Sequence, residues 1–246
     1  MQDDLIVEQP LTASYEAYES AMQLHRLSFS PVLETLLAEH NPRTLMLFWI
    51  YFSANGVGMT ESVEDWIRRA GNRCKAMGYS ELGEQLCKHA IHEADHHLMM
   101  IEDTKRLVAR WNQLYTPTLE AETILNAPFN KTVIAYQDLH EDTIHSNHPY
   151  GQITIEYEIE NLSVVYGPAI LKHTLEILGK DIENALSFVD EHVRVDVAHT
   201  KYNRKALNSF VMEHPETLPE LIRAGKLALS AYWGFLHHCY QQALLI

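Results

Sequence analysis

HVRVDVAH, residues 192–199, sets two histidines and an aspartate in a run made mostly of valine and alanine. A helix turns each residue by roughly 100°. Asp196 then falls about 40° to one side of His192 and His199 about 20° to the other, so the three side chains leave one narrow stripe. Val193, Val195, Val197 and Ala198 occupy much of the remaining circumference. At the strand period of two, the three polar residues do not share a face. Upstream, Ile182, Ala185, Leu186 and Val189 keep helical spacing, so the pattern predicts one helix that starts near Asp181 as N-cap. Two imidazoles and a carboxylate on an apolar helix read either as metal ligands or as a hydrogen-bonded core network.

The rest of the chain predicts an all-α protein. Glycine is sparse and no alternating pattern persists. Helices are expected over roughly 13–28, after Pro31, from Pro42 with a soft point at Gly56 and Gly58, from Ser80 to about Tyr115, over 130–146, after Pro149 with a bend at Gly167-Pro168, through the opening motif, and after Pro215 and Pro219. Seven to nine helices with short connections make a helical bundle. No Ser-, Gly- or Pro-rich linker divides the 246 residues, so 1–246 is expected to be a single domain.

A formal charge of −14 argues against nucleic acid and anionic membrane as main partners. Three scattered cysteines without a CxxC pair fit reduced thiols, and the N-terminal sequence lacks a signal-peptide pattern, so a cytoplasmic location is expected. The most apolar run, LMLFWIYF (45–52), is too short to span a bilayer. The expected partners are a small-molecule substrate and, beyond it, a second copy in a homodimer.

In a bundle, facing helices supply the remaining ligands. HAIHEADHH (89–97) contains Glu93 and His96 as Glu-x-x-His, with His89 and His92 near the same face and His97 about 100° from His96. Glu-x-x-His alone is common on exposed helices. In IEYEIEN (155–161), Glu156 and Glu160 share a face while Glu158 points elsewhere. Ile159, Leu162, Val164 and Val165 make the helix apolar around Glu160, and a buried carboxylate there needs a neutralising partner. Glu160 is therefore the expected bridging ligand. Glu93, His96, Glu160, His192, Asp196 and His199 form a mixed oxygen and nitrogen set that suits non-haem iron or manganese. His140, His145 and His148 read as a solvated helix end and loop, and His237 and His238 as polar tips of the last helix.

These segments resemble the haem-oxygenase-like di-iron oxidases and oxygenases. HVRVDVAH is similar to that family's His-x-x-x-Asp-x-x-His ligand helix, YEIENLS (157–163) to its Tyr-x-x-Glu stretch, and residues 25–53 to its opening helix pair. One departure stands out. Many members place the first Glu and His seven positions apart, whereas seven before His92, His96 and His97 stand Gln85, His89 and Ala90. Glu93 and His96 fit the family's shorter spacing, with His89 or His92 as alternatives to His96. The resemblance implies two Fe(II) ions, O2 as co-substrate, and oxidation of an amino acid, an amino-acid-like amine or a fatty acid. Tyr157, Tyr166, Trp49 and Phe52 are candidate substrate-lining residues by apolar character. Arg194, Lys172 and Arg204 are candidate partners for a substrate carboxylate. The competing readings are a metal-free thiaminase-like hydrolase using Cys87 and a non-catalytic helical binding protein.

Overall fold

The computed structural model describes residues 15–28 and 30–246. Its α-helices are α1 (Tyr15–Leu27), α2 (Ser30–Ala38), α3 (Pro42–Thr60), α4 (Val63–Ala76), α5 (Ser80–Ala90), α6 (His96–Leu114), α7 (Ala121–Leu125), α8 (Lys131–His145), α9 (Gln152–Leu178), α10 (Ser187–Glu213) and α11 (Leu218–Ala243). No strand occurs among the described residues, and no described helix is long and apolar enough to cross a membrane.

Local chemistry accounts for the starts. Asn41 accepts the Arg43 amide at 3.0 Å, and Pro42 stands at the first position of α3, where its missing N–H costs nothing. Asn130 caps α8 in the same way, accepting from Thr132 N at 2.9 Å. Three expected boundaries differ. The helix from Pro42 breaks at Glu61-Ser62 rather than at its glycines. Gly56 and Gly58 instead admit neighbours, since a Cβ on Gly56 would collide with Met100 and one on Gly58 with Phe129 and Val133. Lys180–Ala185 winds as a 3-10 turn, so α10 begins at Ser187 and not near Asp181. The helix expected from Ser80 to Tyr115 is two helices. Ala90 leads into a 3-10 turn at Ile91–Glu93, Ala94 is extended, and Asp95 is left-handed at φ 65°. α9 continues through Pro168.

One buried apolar cluster runs from Tyr15 to Ala243. α9 passes through it, packing on α10, α11, α3 and α2, while α3 packs on α6 and α11. Phe48, Trp49 and Phe52 meet edge-on or tilted, and the Trp49 indole donates to Thr174 on α9 at 3.0 Å. Glu158 points away from Glu156 and Glu160, toward α1: it is fully buried, accepting from Arg26 Nε at 2.7 Å and Tyr18 at 2.8 Å, which ties α1 to α9.

α4 and α5 approach backbone to backbone at Gly71 and Gly83. A Cβ on Gly83 would stand 2.9 Å from the Lys75 amide nitrogen and collide with the Gly71 carbonyl. Gly83→Ala is expected to lower unfolding stability by about 1–3 kcal/mol, read as a lower urea midpoint with unchanged slope.

Candidate metal centre

The 90–96 junction, α9 and α10 converge on one buried point. His89, Glu93, Glu160 and His199 offer ligand atoms within 4.8 Å of one another, and Glu93, His96 and His192 form a second such group. Glu93 belongs to both. Its Oε1 lies 3.4 Å from His199 Nδ1 and 3.9 Å from His89 Nε2, and its Oε2 lies 2.9 Å from His96 Nδ1. The carboxylate that reaches both groups is therefore Glu93, at the end of the 3-10 turn, and not Glu160.

His89 joins the set beside His96 rather than replacing it. Its Nε2 stands 2.9 Å from Glu160 Oε1 without hydrogen-bond geometry. That separation matches an edge of a coordination polyhedron, roughly 3 Å for bonds of about 2.1 Å. His92 is exposed, its ring 5.6 Å from that of His199. His97 belongs to neither group. The sequence signal for His89 was its i, i+4 relation to Glu93 on a continuous helical path into the turn.

Neighbouring groups orient these ligands. His192 Nδ1 donates to the Phe188 carbonyl at 2.7 Å, which leaves Nε2 free for an ion. Asn203 donates to Glu160 Oε2 at 2.7 Å. Ser163 donates to Asp196 Oδ2, and Asp196 Oδ1 faces His199 Nδ1 at 3.5 Å. Asp196 lies in neither ligand group, although it is 1% exposed.

Burial and mutual repulsion perturb these groups strongly. Burial, with repulsion from Asp196 and Glu93, pushes the Glu160 carboxyl well above the carboxylate range. Burial also raises Glu93, but the hydrogen-bonded His96 and the nearby His89 outweigh it and hold Glu93 down, at about 2. Burial lowers His192, while the Asp196 contact raises His199. His89 Nε2, Glu93 Oε1, Glu160 Oε1, Asp196 Oδ1 and His199 Nδ1 are all buried without a hydrogen-bond partner. Native interiors rarely leave such atoms orphaned. A divalent cation would satisfy them together, so the residues present fit a metal pair.

Beside the second group opens an apolar cleft. His192 and Ser163 lie on its wall together with Trp49, Phe52, Tyr166, Phe188 and Tyr232. Among the described residues, no acidic, lysine or arginine side chain lines it. Tyr157 is elsewhere, its hydroxyl 2.6 Å from that of Tyr15. Arg194 pairs with Asp190, Lys172 with Glu176, and Arg204 stacks on the Tyr15 ring, so none of the three expected cations faces the cleft.

Behind the ligands lies a polar pocket that composition did not reveal. Gln152 Nε2 donates to Glu156 Oε1 at 2.5 Å and lies 2.8 Å from His140 Nδ1. His140 is not solvated: it is fully buried and stacks on Trp66 at 4.3 Å. Burial pushes the Glu156 carboxyl up to about 8 and His140 down to about 4. His145, His148 and His237 are exposed, while His238 is half-buried. Cys87 is aimed at α4, with Sγ 3.8 Å from the Arg68 carbonyl and 3.6 Å from Asn72 Oδ1, and does not line the cleft.

No family model matches the sequence, and no curated protein matches it. Solved structures are similar over nearly the whole chain, two of them as follows. One is a domain of unknown function with a haem oxygenase-like fold from Shewanella denitrificans, 16% identical, TM-score 0.70, covering 94% of this chain and 90% of the other. The second is a TenA homolog from Pseudomonas syringae pv. tomato, 13% identical, TM-score 0.66, covering 97% and 100%. At these identities the likeness concerns the fold, which is all-α and haem-oxygenase-like.

Proposed function

We propose that the chain is a non-haem di-iron oxygenase or oxidase that uses O2 to oxidise a small molecule held in the apolar cleft. The carrying observation is the convergence of orphaned carboxylate and imidazole atoms into two ligand groups joined by Glu93. Oxygen and nitrogen donors in this mixture suit iron or manganese better than a thiolate-seeking metal. Two ferrous ions bound there would supply the electrons that reduce O2.

The protein's own part is orientation and exclusion. The Phe188 carbonyl sets the His192 tautomer, Asn203 fixes Glu160, and Ser163 holds Asp196. Trp49, Phe52, Phe188 and Tyr166 keep water from the cleft and leave room for an apolar body. The substrate is an amino-acid-like amine or a fatty acid, and a lining without charged side chains favours the member of either class with the larger apolar portion.

Anaerobic titration of metal-free protein with Fe(II) tests the reading. About two irons per chain, followed by O2 uptake on admitting air, is the expected result. Absence of specific iron uptake, with amino acids and fatty acids both present, would sink it. A smaller test concerns the cleft. Phe52→Trp narrows it and is expected to reduce the affinity for the bulkiest substrate about 10-fold or more, since overpacking an apolar site costs about 1–3 kcal/mol, with iron stoichiometry unchanged.

A further inference from the structure

Leu186, the residue before α10, is apolar and offers no side-chain cap. The first amides of a helix still need acceptors. Here the acceptor comes from another helix. Asp103 on α6 accepts from the Ser187 hydroxyl at 2.7 Å on Oδ1 and from the Phe188 amide at 2.9 Å on Oδ2. A carboxylate at a helix N-terminus also meets the positive end of the helix dipole. Asp103 is 2% exposed, and an acid is costly to bury unless such donors satisfy it. It belongs to neither ligand group. One turn further along α6, Arg106 donates to the Asn184 carbonyl at 2.6 Å, so α6 grips the entry to α10 at two points.

Both gripped helices carry ligands of the second group. α6 begins at His96, and α10 carries His192. From His96 to Asp103 the helix makes about two turns, so the two side chains leave one side of α6. That side meets α10 at Ser187 and Phe188 through Asp103, and again at His192, whose ring lies 4.7 Å from that of His96. Phe188 links the two contacts. Asp103 holds its amide, its carbonyl accepts from His192 Nδ1, and its ring stacks on the His192 imidazole at 3.9 Å. The four-ligand group is held differently. His89 and Glu160 stand on α5 and α9, and His199 lies roughly three turns beyond Phe188. We infer that Asp103 is the positioning residue of the second ion site. It fixes α6 against α10 so that His96 and His192 stand at the separation one ion needs. The inference rests on the di-iron reading.

The probe is Fe(II), titrated anaerobically into metal-free protein, with circular dichroism to confirm that each variant folds. Asp103→Ala is expected to weaken the binding of one ion by about 10-fold or more, the scale set by groups that orient metal ligands. The other ion should change by less than about twofold. Asp103→Asn keeps an acceptor for the Phe188 amide and should recover most of the loss. Ser187→Ala removes one of the two hydrogen bonds and should weaken the same ion by about 3-fold, which keeps the test open if Asp103→Ala does not fold. Double variants identify the ion. In a His89→Ala background, where the second group remains, adding Asp103→Ala should cost about 10-fold or more. In a His192→Ala background, where the four-ligand group remains, it should cost less than about twofold. Equal losses in the two backgrounds would make Asp103 a general structural residue and overturn the inference. Unchanged binding in both Asp103→Ala and Ser187→Ala would overturn it as well. Those failures leave iron uptake by the wild type intact, whereas absence of that uptake overturns the di-iron reading and the inference with it.

Discussion

Glu93→Gln is expected to lose both metal ions, whereas His96→Ala and His192→Ala are each expected to lose one. The asymmetry follows from the geometry. Glu93 places Oε1 in the group with His89, Glu160 and His199, and Oε2 against His96. An amide keeps the shape but removes the negative charge that two adjacent cations need. Removing His96 or His192 leaves the four-ligand group intact. Iron content after anaerobic loading, about two per chain in the wild type, should fall well below one in Glu93→Gln and to about one in the histidine variants. His89→Ala should resemble the latter, with loss from the other group. Retention of one tightly bound iron by Glu93→Gln would show that Glu93 serves one ion only. Far-UV circular dichroism of each variant separates ligand loss from unfolding.

The helical stripe of HVRVDVAH was legible because its period is a local property. His199 enters one ligand group and His192 the other, while Asp196 Oδ1 faces His199 Nδ1 at 3.5 Å without entering either. The role of Glu93 was not legible, because it depends on the chain leaving the helix. Helical periodicity from Ser80 to Tyr115 carries no mark at Asp95, whose left-handed backbone, tolerated by aspartate better than by most residues, lets α6 restart in a new direction. That turn brings His89 and His96, seven positions apart, to the same carboxylate from different helices. His140 was read as solvated, and the partners of Glu158 were not legible, for a related reason. A polar residue inside a bundle is recognised by its partners, and Arg26, Tyr18, Gln152 and Trp66 come from distant segments.

The metal-free protein is expected to lose stability as pH rises above about 6.5, and Glu156→Gln is expected to lessen that loss. Glu156 titrates near 4.5 when unfolded and is pushed by burial up to about 8 when folded. Its contribution is full below pH 4.5 and is lost as pH rises to about 8, roughly 5 kcal/mol over the whole window at 1.36 kcal/mol per unit. His140 works in the opposite sense. Burial lowers it from 6.5 to about 4, so the folded state holds fewer protons there and stability rises across that interval by roughly 3 kcal/mol. Between pH 4.5 and 6.5 the two slopes offset. Of these two groups, Glu156 alone continues above 6.5, for a fall of roughly 2 kcal/mol by pH 8. Glu160 and His199, both shifted upward, act in the same direction. In Glu156→Gln the Glu156 contribution is gone while those of His140, Glu160 and His199 remain, so stability at each pH above 4.5 should fall less steeply, or rise more steeply, than in the wild type. Urea midpoints at intervals from pH 4.5 to 8.5 provide the check, and parallel curves for the two proteins would show that Glu156 is ionised throughout. Iron reverses the sign. A cation replaces the protons that burial forces onto the carboxylates, so metal affinity grows over the pH range in which the empty site weakens the fold. The loaded protein should therefore gain stability from pH 6.5 to 8, where the metal-free protein loses it.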